Sequence, residues 1–164
     1  MSVFFSKRQQ GGGGVMIWAS FSSNFKSKHT FVEGKLDAKG YQNLLKNHIE
    51  DISKSFGSNK WIFQQDNAPI HKAKINTAWF ESNKIDLMSW PPFSPDLNPI
   101  ENVWGILATK IYGDGVQYRS LKDLKLAIIN AWNNITLDEL KPLVNSMPNK
   151  IFEVIRLGGA KTHY

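Results

Sequence analysis

Trp61-Ile62-Phe63-Gln64-Gln65-Asp66-Asn67-Ala68-Pro69-Ile70-His71 decides how this chain is read. Its first three residues form a short apolar run suited to a buried central strand. The run then meets two amides, a carboxylate and, at Pro69, a residue that no strand interior accepts. A strand ending on an acid sets that acid beyond the carboxyl end of a sheet, where α/β proteins gather their ligands. Asp66 can there offer hard oxygen donors to a cation such as Mg²⁺. It can equally cap the following helix or hold the turn through Asn67. Local sequence leaves the two readings level.

Upstream of this segment, Asp37 reads as a helix N-cap. Tyr41, Leu44, Leu45, Ile49, Ile52 and Phe56 recur at three- and four-residue steps, and Gly57 supplies the stop. His48 falls on the same stripe and reads as a hydrogen-bonded core histidine. Val15–Phe21 reads as a strand apolar on both faces, and Thr30–Glu33 as a second strand. Downstream, a helix after Pro69 should turn Ile75, Ala78 and Trp79 inward, and Ile85–Met88 should form another strand. Three prolines between Trp90 and Pro95 break any regular element. Ser120 and Thr136 each open a capping pattern before an apolar periodic stretch, so the last third is helical. Mixed strands and helices followed by a helical tail predict an α/β domain.

A second segment, Ser94-Pro95-Asp96-Leu97-Asn98-Pro99-Ile100-Glu101-Asn102-Val103-Trp104, also exceeds what folding asks. Asn98 at N-cap, Pro99 at N1 and Glu101 at N3 make a strong helix start. Glu101 then has a structural role open to it, hydrogen-bonding back to Asn98. A helix N-terminus facing the active edge of the sheet would instead bring a second carboxylate near Asp66. One carboxylate does not easily serve both purposes. Residues 67–100 separate the two acids, a gap of 34.

Composition bounds the rest. The 164 residues carry 20 Lys plus Arg against 14 Asp plus Glu, a net +6, with 41% hydrophobic residues and no cysteine. The absent cysteines exclude a thiol nucleophile, a disulfide scaffold and Cys-ligated metal. No acid precedes Glu33, whereas Lys7, Arg8, Lys26 and Lys28 do. Such a stretch could follow a phosphate backbone, or be an ordinary solvated edge. Residues 1–14, ending in four glycines, read as a basic, Gly-rich loop or linker, with the domain occupying 15–164.

Taken together, the two acidic segments resemble the Tc/mariner superfamily of DDE transposases, and most closely its Tc-type branch. That branch carries QQDNAP-x-H around its second catalytic Asp and SPDLNPIEN-x-W around its catalytic Glu, 34 residues apart. Both motifs stand here, at Gln64–His71 and Ser94–Trp104. The likeness extends through Gly12–Trp18, Tyr41-Gln42-Asn43, Trp90-Pro91 and the tail near Ser146-Met147 and Ile155. It implies an RNase H-like fold, a mixed central sheet flanked by helices. It also implies two Mg²⁺ or Mn²⁺ ions held by two Asp and one Glu, with DNA at transposon ends and target DNA as substrates in the nucleus. Asp66 and Glu101 take the second and third positions of that triad, with Asn67 and His71 as supporting or substrate-facing residues. The family's first Asp lies on an opening strand upstream of the Gly-rich loop, and no acid stands in this chain before Gly11. The expectation is therefore a catalytic domain missing its first strand, inactive alone, and prone to pair through an exposed sheet edge as a homodimer. The rival expectation is a non-catalytic DNA-binding or dimerising remnant.

Overall fold

The structure, a computed structural model, describes residues 2–7, 13–89, 91 and 94–157. Strands β1 (Ser2–Ser6), β2 (Gly14–Trp18) and β3 (Thr30–Val32) form an antiparallel sheet in that order, with Phe4 opposite Met16 and Met16 opposite Val32. β1 corrects the reading of residues 1–14 as loop or linker for Ser2–Ser6. Phe5 is 4% exposed in the core, and the Tyr112 hydroxyl donates to the Ser6 carbonyl, so the segment is tied in through packing and hydrogen bonding. Gly14 closes the return to β2: a Cβ there would lie 2.3 Å from the Phe5 carbonyl oxygen, a distance no side chain tolerates. Gly11 and Gly12 lie outside the described residues.

β2 is apolar on both faces because it is covered on both. Val15, Ile17 and Ala19 join Val103, Leu107, Leu124, Ile128 and Trp132 on one side. Trp18 joins Tyr41, Leu45, Phe63 and Phe80 on the other. Helices therefore sandwich the sheet, and β2 is the wall common to two cores.

Helix α1 (Ala38–Phe56) begins as expected, with Asp37 Oδ1 accepting the Gly40 N–H at 2.7 Å, and ends at Gly57 with φ +58°. His48 is buried; its Nε2 lies 2.6 Å from Thr30 Oγ1 and its ring against Trp18, which bears out the core reading. Strand β4 (Ile62–Phe63) follows and pairs in parallel with β5 (Asp86–Leu87) as a separate two-stranded sheet. Phe63 is buried, but Ile62 is 58% exposed, so the run expected to be central has one open side. Helix α2 (Lys74–Ser82) buries Asn76 and Phe80, whereas Ile75 is 42% exposed. The expected inner face is thus shifted by one residue. Asn76 moves inward because its amide donates to both the Ala38 and Ile70 carbonyls.

Four helices complete the fold: α3 (Pro99–Tyr112), α4 (Leu121–Asn133), α5 (Leu137–Asn145) and α6 (Met147–Arg156). Ser120 Oγ accepts the Asp123 N–H, and Thr136 forms a full capping box with Glu139. Among the described residues, no helix is long and apolar enough to cross a membrane.

Candidate active site

Asp66 lies three residues past β4, where the chain leaves the sheet without regular structure. One carboxylate oxygen, Oδ1, is doubly held. It accepts the His71 Nδ1–H at 2.5 Å and the Ala68 N–H at 3.0 Å. The second bond is an Asx-type turn, which pre-sets the loop through Asn67. Oδ2 has no protein partner among the described residues. The His71 hydrogen bond is the main cause holding the Asp66 carboxyl below its ordinary range; partial burial opposes it and the Ala68 N–H supports it.

His71 is itself 3% exposed and fixed from behind. The Tyr41 ring packs on it with centroids 4.3 Å apart, and the Tyr41 hydroxyl donates to Gln65 Oε1 at 2.7 Å. Burial, reinforced by the Asp66 charge, pushes that phenol well above its usual range, so it stays a neutral donor. Helix α1 thereby buttresses the acidic loop. Tyr41 and Gln65 were not legible as site residues. The available signal was a tyrosine on a chiefly apolar stripe, since a buried hydroxyl needs a partner.

Glu101 sits in the first turn of α3. Asn98 caps that helix, its side chain accepting the Ile100 N–H. The reciprocal half of a capping box is absent: the Asn98 N–H goes to the Pro95 carbonyl, and the Glu101 carboxylate makes no hydrogen bond to Asn98. The contrast with Thr136 and Glu139, where both halves form, is informative. Glu101 is thus not spent on capping. Burial pushes its carboxyl above the ordinary range, and the Asp66 charge adds to the effect. The fold thus brings two acids, 34 residues apart in sequence, into one electrostatic field.

That charge conflict, together with carboxylate oxygens not committed to protein donors, suits a hard divalent cation. Among the described residues, no group of three or more His, Asp or Glu side chains gathers as a metal cage. Gln64, at the end of β4, donates to the Leu97 carbonyl at 3.4 Å and so links the two acidic segments. Behind α3, the ammonium of Lys150, 3% exposed, donates to Asn102 Oδ1 at 3.0 Å and ties α6 to the turn bearing Glu101.

The basic candidates separate. Lys28 is exposed. The Lys7 main chain bridges the Gly13 carbonyl and the Tyr118 N–H. Arg8 lies outside the described residues. Lys26 is not a free phosphate contact: its ammonium donates to the Trp132 and Ile135 carbonyls, each at 2.6 Å, closing the C-terminal end of α4.

A family model described as "DDE superfamily endonuclease" matches residues 6–125. The Tc3 transposase of Caenorhabditis elegans is 40% identical over 162 residues, covering 99% of this chain and 49% of the relative. The Tcb1 transposase of Caenorhabditis briggsae is 33% identical over 156 residues, covering 95% and 56% respectively. This chain thus spans about half the length of the curated relatives it matches. Among solved structures, the catalytic domain of Mos1 mariner transposase superposes with TM-score 0.78 at 16% identity, over 92% of this chain and 76% of that one. A pre-cleavage Mos1 transpososome gives 0.84 at 15% identity, over 94% and 47%. These likenesses establish the RNase H-like fold. The family match and the nematode relatives go further, and the chain belongs to the Tc/mariner transposases of the DDE superfamily.

Proposed function

We propose that this chain is catalytic-core sequence of a Tc-type transposase that cuts DNA at transposon ends and joins the freed 3′ end to target DNA in the nucleus. One observation carries the reading. Asp66, beyond the carboxyl end of β4, and Glu101, opening α3, share one field while neither is consumed as a helix cap. Asp66 and Glu101 would hold Mg²⁺ or Mn²⁺. When bound, such ions activate the attacking oxygen and stabilise the leaving oxygen of an in-line phosphodiester displacement. His71 and the Ala68 N–H fix Asp66 through Oδ1 and leave Oδ2 without a protein donor among the described residues. Tyr41 holds the imidazole that does so. The solved Mos1 catalytic domains with Mg and with Mn support the choice of cation. The Mos1 paired-end and strand-transfer complexes support DNA as the partner.

The third carboxylate of the triad is not supplied by residues 1–164, and the chain alone is inactive in strand transfer. Titration of Mn²⁺ into the purified chain, followed by electron paramagnetic resonance, tests the reading. Wild type should bind at least tenfold tighter than Asp66→Ala or Glu101→Gln. Equal affinity in all three would remove Asp66 and Glu101 from the site, and strand transfer by the wild-type chain would refute the missing carboxylate.

A further inference from the structure

Helix α6 is turned the wrong way for a helix held by apolar burial. The residue it buries is Lys150, 3% exposed, while Phe152 and Ile155 stand 68% and 72% exposed. A rotation governed by the hydrophobic effect alone would exchange them. A specific contact therefore fixes the face that α6 turns inward, and the lysine supplies one. Its ammonium donates to Asn102 Oδ1 at 3.0 Å, across 48 positions of sequence. Met147 and Ile151, to either side of it, line one cavity with Leu97, Pro99 and Ile100, so α6 reaches the N-terminal end of α3.

Asn102 directly follows Glu101 there. The two acids of the site are held in different ways. Asp66 is fixed through its own side chain, by His71 and the Ala68 N–H. Among the described residues no hydrogen bond reaches the Glu101 carboxylate, so its place is set by the main chain that carries it. That turn is held at its start by Asn98, whose side chain accepts the Ile100 N–H, and from behind by Lys150. A buried ammonium is a poor source of stability, because an apolar side chain of similar length avoids its desolvation. What lysine provides and methionine lacks is a directed donor. Metal ligands must be held to within about 0.5 Å, and a directed bond to the next residue constrains the turn as apolar contact does not.

We propose that Lys150 is a positioning residue for Glu101: through Asn102, helix α6 fixes the turn that carries the acid. The inference rests on the reading of Glu101 as a metal ligand, and it gives Asn102 and α6 a part in the site.

The test uses the whole 164-residue chain. Lys150→Met keeps the stem and removes the donor, and its melting temperature should stay within about 4 °C of wild type. Its Mn²⁺ affinity, read by electron paramagnetic resonance, should fall about tenfold. In metal-free protein its Glu101 amide should exchange about fivefold faster, with α4 amides unchanged. Lys150→Arg retains a donor and should restore both readouts. Adding Asn102→Leu to Lys150→Met leaves neither partner unmet, which safeguards the fold. The double variant should bind Mn²⁺ within about twofold of Lys150→Met, because the tether is already gone. Wild-type Mn²⁺ affinity in Lys150→Met, no rescue by Lys150→Arg, or a further large loss in the double variant would each overturn the proposal. If wild type binds Mn²⁺ no better than Asp66→Ala, the reading of the site itself falls, and exchange of the Glu101 amide decides alone. Faster exchange in Lys150→Met then upholds the tether, and unchanged exchange overturns it.

Discussion

At the residue scale the two carboxylates respond to pH with opposite signs. The folded value of Asp66 is depressed, chiefly by His71, so its contribution to stability is present above the unfolded carboxyl range and is lost as pH falls through the folded value. The folded value of Glu101 is raised, chiefly by burial, so its contribution is largest below the unfolded range and declines as pH rises through the folded value. Glu101→Gln removes a carboxylate that the fold disfavours. Its melting temperature at pH 7 should exceed wild type by about 1–3 °C, a shift expected from well under a kcal/mol in a domain of this size. Below the carboxyl range the gain should vanish. A lower melting point at pH 7 would mean that Glu101 has a stabilising partner. His71→Phe keeps the packing on Tyr41 but removes the donor, and the Asp66 carboxyl, followed by ¹³C NMR titration, should move up. No movement would transfer control of Asp66 to the Ala68 N–H.

At the element scale, the helices were legible because their signals are local. Asp37, Ser120 and Thr136 each cap where the sequence pattern places them. Asn98 and Thr136 begin helices by the same chemistry but differ in what the N3 acid does. Thr136→Ala should therefore cost about 1 kcal/mol, a melting-temperature loss of roughly 2–4 °C, with Mn²⁺ affinity unchanged. Asn98→Ala should cost a similar amount and also weaken Mn²⁺ binding, because it loosens the turn carrying Glu101. If both variants bind Mn²⁺ like wild type, the α3 cap does not position the acid. The strands were less legible because strand identity depends on distant partners. Ser2–Ser6 is short and lies close to a glycine run, and its ladder with β2, the core beneath Phe5 and the Tyr112 hydrogen bond make it a strand. Likewise, three apolar residues at 61–63 cannot reveal that β5 covers only one edge. In the candidate site, Asp66 and Glu101 could be read from their motifs, whereas the Tyr41–His71 support, like the Lys26 helix cap elsewhere, depends on tertiary contacts.

At the scale of the whole molecule, the two cores are unequal in their supports. The first spans the three-stranded sheet and reaches α3, α4 and α5. The second leans on β4 and β5, two residues each, and its sheet has an open edge. Peptide groups exposed along an edge and a short ladder favour local opening over global unfolding. Amides around Phe63 and Leu87 should therefore exchange through an opening of lower free energy than those in α3 and α4. Native-state hydrogen exchange at increasing denaturant separates the two cases. A sub-global opening shows a small denaturant dependence that merges with the global isotherm only at high concentration. If those isotherms coincide with the global one, the open edge costs the fold nothing and the two cores unfold as one unit.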